Sequence, residues 1–98
     1  MEELKDLREK IDAIDQQMVD LFKQRMEVSK EVAAYKQANG LPTLDAGRER
    51  ALLGKVGEQA GEELADYTQS VYRTILAAGR SYQNAWSGVT SKVYETIR

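Results

Sequence analysis

The chain has 98 residues, the size of one small domain whose single core is only modestly stabilising, which favours association with a second copy. A net charge of -2 with 31% charged residues leaves no basic excess to track a phosphate backbone, so nucleic acid is not an expected partner. Neither Cys nor His occurs, which excludes disulfides, thiolate metal sites and imidazole bases and leaves chemistry to Arg, Lys, Asp, Glu, Gln, Ser or Tyr.

The opening stretch is acidic and amphipathic, unlike a signal peptide, and no apolar run approaches membrane-spanning length. A cytoplasmic protein without a membrane partner is expected. Apolar residues at positions 4, 7, 11, 14, 18, 21, 28, 32 and 35 step by threes and fours along one helical face, and Arg25 fills the one vacant slot in that register. No Pro or Gly interrupts before Gly40, which predicts a first helix from near Glu2 or Glu3 to residues 37–40, roughly 50 Å long at 1.5 Å per residue. A rod of that length must protrude from a domain whose radius of gyration would be about 13 Å, so its seam calls for a partner, most simply a second copy.

Asn39, Gly40 and Pro42 end that helix, and Asp45 is placed to cap a second one carrying Leu52, Leu53 and Val56. Gly47, Gly54 and Gly57 each weaken it by up to about 1 kcal/mol, which predicts a short element, the least stable of three. Gly61 breaks the chain before a third helix beginning near Glu62 or Glu63, with Leu64, Tyr67, Val71, Ile75, Ala78, Tyr82 and Trp86 on its apolar face. Ser87 and Gly88 read as a stop, so the expected layout is a domain over 1–87 and a tail or shortened linker over 88–98. The fold class is all-α.

Four features carry candidate chemistry. Lys36 follows Arg25 by eleven residues, within about 20° on the same helix face, so the two cations either reach water or hold an anion between them. For an isolated Arg25 the ordinary explanation is a side chain snorkelling to the rim. Arg8 precedes Arg25 by seventeen residues, about 100° around the axis and roughly 25 Å along it, so it cannot serve the same pocket but can serve that of an antiparallel partner. Asp45, Arg48 and Glu49 share one side of the second helix, which alone reads as a cap with a surface ion pair. Gln83 lies one turn beyond Gly79 near the apolar face, as many helix-end glutamines do.

Together these elements resemble the all-helical class of chorismate mutase. The matching residues are Leu7-Arg8-Glu9-Lys10-Ile11-Asp12 with Ile14-Asp15, then Arg25, Lys36, Asp45-x-x-Arg48-Glu49 and Gln83, in the family's order and spacing over about residues 4 to 86. The resemblance implies a three-helix chain that dimerises into an intertwined bundle, each of two sites borrowing an Arg from the other subunit. It also implies the Claisen rearrangement of chorismate to prephenate in aromatic amino acid biosynthesis, a unimolecular step with no metal and no cofactor. By that resemblance Arg8 of the partner and Arg25 pair with the substrate's two carboxylates, and Lys36 and Gln83 donate to its ether oxygen. Glu49 and the Asp45 backbone take the ring hydroxyl, and Arg48 steadies that cluster. The chain departs from the family at Gly79, where a Ser is usual, and Ser81, about 200° around the helix from it, cannot replace that residue. In this family the domain is often fused to prephenate dehydratase or another enzyme of the aromatic pathway. Two competing readings are a related isochorismate-pyruvate lyase or aminodeoxychorismate mutase, and a catalytically silent helical dimerisation module. The intact Asp45-x-x-Arg48-Glu49 motif, suited to a ring hydroxyl, favours chorismate over the first. Arg25 in the one polar slot of the seam speaks against the second.

Overall fold

The first 38 residues are rich in Leu, Lys, Glu, Gln, Met and Ala, good helix formers that lose little rotamer freedom in a helix. A computed structural model, which describes residues 2–86, turns them into one helix, α1 (Leu4–Ala38), followed by α2 (Ala46–Ala60) and α3 (Ala65–Trp86), with no strand among the described residues. Glu3 is the extended N-cap of α1 but gives no side-chain cap; Asp6 in the first turn complements the helix dipole, and Lys10 pairs with Glu2.

The C-terminus of α1 is closed by a Schellman turn. Gly40 takes φ +64, Leu41 N–H donates to the Lys36 carbonyl at 2.8 Å, and Gly40 N–H donates to that of Gln37 at 3.4 Å. Asp45 caps α2 as expected, its Oδ1 accepting from Arg48 N–H at 3.0 Å. With 15 residues α2 is the shortest of the three helices. Gly61 breaks the chain at φ +85, but α3 starts at Ala65, later than expected. Residues 62–64 are spent in a turn in which Leu64 N–H reaches the Gly61 carbonyl at 3.2 Å. The expected stop at Ser87 and Gly88 and the tail over 88–98 lie outside the described residues.

Packing is organised around α3, which lies against both α1 and α2, while α1 and α2 do not pack on each other. Small residues make these approaches: Ser29 and Ala33 on α1, Gly57 on α2, Gly79 and Ser81 on α3 are buried, with Val56. At Gly57 the reason is explicit. A Cβ there would lie 2.8 Å from the Gln69 Nε2, which donates to the Leu53 carbonyl at 2.9 Å and ties α3 to α2.

The large apolar residues are elsewhere. Leu4, Leu7, Ile11, Ile14, Met18, Leu21, Val28, Val32 and Tyr35, the whole predicted seam of α1, remain exposed, and so do Leu64 in the turn before α3 and Tyr67, Val71 and Trp86 on α3. Periodicity identified faces that avoid water, but nothing among the described residues covers them. The radius of gyration is accordingly 16.4 Å, and the long axis of 57 Å is set by the 35-residue α1. No helix among the described residues is long and apolar enough to cross a membrane.

Candidate functional site

Because α1 and α2 flank α3 without meeting, a cleft opens between them, and it encloses a cavity of about 300 Å³. Each helix lines it with one face at three, four and seven residue spacing, the pattern that stacks side chains one above another. From α1 come Arg25, Ser29, Val32 and Lys36; from the start of α2, Asp45, Arg48, Glu49 and Leu52; from α3, Leu76, Gly79, Arg80 and Gln83; Thr43 closes the end at the α1–α2 turn. Four cations and two carboxylates leave an excess of two positive charges, in a protein whose net charge is -2.

The end nearest the turn is built by backbone geometry. The Lys36 Nζ donates to the Thr43 carbonyl at 2.7 Å, and the Thr43 hydroxyl donates to the Asn84 Oδ1 at 2.7 Å, so the loop is strung between α1 and α3. Gln83 stands beside them, lining both the main cavity and a second one of about 260 Å³ behind the turn that Lys36 and Thr43 also border. Its Oε1 is buried and has no hydrogen-bond partner among the described residues. Buried amide oxygens are nearly always satisfied, so an unmatched acceptor beside a polar cavity points to a donor on a ligand or to ordered water.

On the α2 side, Glu49 holds an ion pair with Arg80, whose Nη1 lies 2.5 and 2.6 Å from the two carboxylate oxygens. Both side chains are partly buried. The cation paired with Glu49 is Arg80; Arg48, the residue expected to steady this cluster, lines the cavity and donates its backbone N–H to Asp45. Gly79 faces Arg25, whose Nη1 would lie 3.8 Å from a Cβ built on the glycine.

The fold thus gathers Arg25, Lys36, Asp45, Arg48, Glu49, Gly79 and Gln83 around one cavity. Arg8 is exposed on the protruding part of α1 and is not among the lining residues, as its distance along the helix requires. Sequence reasoning missed Ser29, Thr43 and Arg80. Ser29 could have been found, since it lies on the Arg25–Lys36 face; Arg80 lies 31 residues from Glu49 and carries no local signal.

What the arrangement can do follows from its donors. A cavity with an excess of positive charge, a lysine and the Gln83 amide at one end, and a carboxylate pair at the α2 wall can grip a small dianion and meet charge that develops on an oxygen.

Comparison with known proteins agrees with this. The family model for chorismate mutase type II matches residues 7–84. The chain is 36% identical over 102 residues to the T-protein of Haemophilus influenzae, an alignment covering 99% of this chain and 27% of that protein. It is 32% identical over 66 residues to the chorismate mutase of Methanocaldococcus jannaschii, covering 67% of each. The chain therefore spans about a quarter of the first relative and two thirds of the second. A match that runs through all three helices and every residue lining the cavity puts the chain in the type II chorismate mutase family.

Proposed function

We propose that this protein is a cytoplasmic, homodimeric chorismate mutase that converts chorismate to prephenate by holding the dianion in its compact reactive shape and stabilising the charge that grows on the ether oxygen. The observation that carries this is the cavity's excess of two positive charges, with Lys36 and Gln83 together at one end. The reaction breaks one C–O bond and forms one C–C bond within a single molecule, so no proton needs to move. Arg25 would hold one carboxylate and the partner's Arg8 the other, bringing the two ends of the rearranging system into contact, where orientation alone is worth several powers of ten. Lys36 and Gln83 would donate to the departing oxygen, and a preorganised donor of that kind is worth roughly 10²–10³ in rate. Glu49, fixed by Arg80, would accept the ring hydroxyl together with the Asp45 backbone.

The dimer is supported by the exposed seam. An antiparallel second copy would cover the apolar face of α1 and bring an Arg8 to a cavity that its own chain cannot reach, about 26 Å away at 1.5 Å per residue. Because the chain matches 27% of the T-protein, operation as one part of a longer aromatic-pathway enzyme is also consistent with it.

The test is incubation of the purified protein with chorismate, followed by loss of its ultraviolet absorbance and identification of the product. Prephenate is expected. Absence of prephenate at micromolar protein would overturn the proposal, and pyruvate release from isochorismate in its place would point to the lyase.

A further inference from the structure

We infer that Ser29 supplies a hydroxyl to a substrate carboxylate, standing in from α1 for the side chain that α3 lacks at Gly79, an inference that rests on the mutase reading. Ser29 is 7% exposed, lines the cavity, and follows Arg25 by one turn on the same face. Its Oγ lies 3.9 Å from the point where a Cβ on Gly79 would sit, and the Arg25 Nη1 lies 3.8 Å from that same point. A guanidinium and a hydroxyl therefore converge on a space left open by the missing side chain. Ser29 makes no side-chain hydrogen bond among the described residues. A helical Ser often returns its hydroxyl to the carbonyl four residues back; that of Ser29 does not, and it lines the cavity, so this hydroxyl is available to a ligand.

An Arg fills only part of a carboxylate's acceptor capacity, since two oxygens offer about four lone-pair sites. Ser29 adds a third donor beside the fork of Arg25. The absent side chain at Gly79 lets a carboxylate oxygen approach the surface of α1 closely enough to use it. A Ser placed at position 79 would approach the same spot from the opposite wall, and its Cβ, 3.8 and 3.9 Å from Arg25 and Ser29, would sit at ordinary van der Waals distances. The two positions are alternative sources of one hydroxyl.

The experiment compares wild type with Ser29→Ala, Gly79→Ser, and the doubles Ser29→Ala/Gly79→Ser and Ser29→Ala/Gly79→Ala, by steady-state chorismate kinetics and by urea unfolding. Loss of one hydrogen bond to a charged acceptor should raise the KM of Ser29→Ala about tenfold, with little change in unfolding midpoint. Gly79→Ser in that background should recover most of the loss, whereas Gly79→Ala, which fills the space without a hydroxyl, should not. Introduced alone into the wild type, Gly79→Ser should change kcat/KM less than it does when combined with Ser29→Ala. Unchanged kinetics in Ser29→Ala, equal rescue by Ser and Ala at position 79, or a KM rise matched by lost stability would each overturn the role of Ser29 while leaving the mutase activity of the wild type standing. A wild type that makes no prephenate overturns both.

Discussion

Mixing two inactive variants gives the sharpest test of a site assembled from two chains. Arg8 and Lys36 lie 28 residues apart on α1, about 42 Å at 1.5 Å per residue, while an arginine side chain extends only some 7 Å. One chain therefore cannot bring both groups to one cavity, and a shared site needs Arg8 from one copy and Lys36 from the other. Arg8→Ala and Lys36→Ala should each lose roughly 10²-fold or more in kcat/KM, the scale for removing a preorganised charged donor. In a mixed dimer one cavity has both groups intact and the other has lost both. Random exchange makes half of all dimers mixed, and half of their cavities competent, so activity should return to at most about a quarter of wild type. The assay is chorismate turnover after co-refolding equal amounts, with mixed species verified by mass or by a tag on one variant. Verified mixed dimers with activity no higher than the separate variants would refute the shared site.

Three further perturbations read different parts of the structure. Arg80→Met leaves Glu49 without its ion pair in a partly buried setting and should lower kcat/KM about tenfold, with Arg80→Lys retaining more; full activity in the Met variant would mean that Glu49 is held some other way. Gly54→Ala places a Cβ in open space and should stabilise α2 by about 1 kcal/mol, whereas at Gly57 the same gain is offset because the new Cβ displaces the Gln69 amide from the Leu53 carbonyl; equal gains at both sites by urea unfolding would contradict the packing described. Gln83→Glu keeps the shape of the amide but donates only when protonated, so its kcat/KM should be appreciable at low pH and fall as pH rises through the Glu pKa, against a flatter wild type that has no His to titrate. Parallel profiles from about pH 4.5 to 8 would remove Gln83 from the reacting oxygen.

The parts of this fold that could be read from the sequence are those decided within a few residues. Gly40 and Gly61 end their helices because both adopt positive φ, and Asp45 opens α2 because its carboxylate reaches an amide three residues on. The site residues on each helix could be grouped for the same reason, since spacing of three, four and seven puts them on one face whatever that face meets. What could not be read depends on how helices dock. Glu49 has Arg48 as its sequence neighbour, but adjacent helical residues do not face each other, and α3 delivers Arg80 from 31 residues away, which no local pattern announces. Likewise the late start of α3 at Ala65 follows from a turn over 62–64, although Glu62 and Glu63 suit the first turn of a helix.

The exposed seam shows why periodicity and burial parted company. A helix-forming sequence with apolar residues every three or four positions declares only that one face must leave water. Inside this chain α3 meets α1 through Ser29, Ala33 and Gly79, which bring the backbones close and leave the seam of α1 and Tyr67, Val71 and Trp86 of α3 exposed. Close approach through small residues also opens the gap between α1 and α2, because α3 is gripped on two sides while the flanking helices stay apart. The cavity and the uncovered seam thus share one cause. A bulkier α1–α3 interface would bury more apolar surface within the chain, but it would crowd the space that Arg25, Ser29 and Gln83 line. In the proposed dimer, association would supply the burial that the single chain lacks, and the protruding half of α1 that a second copy would cover is the half that carries Arg8.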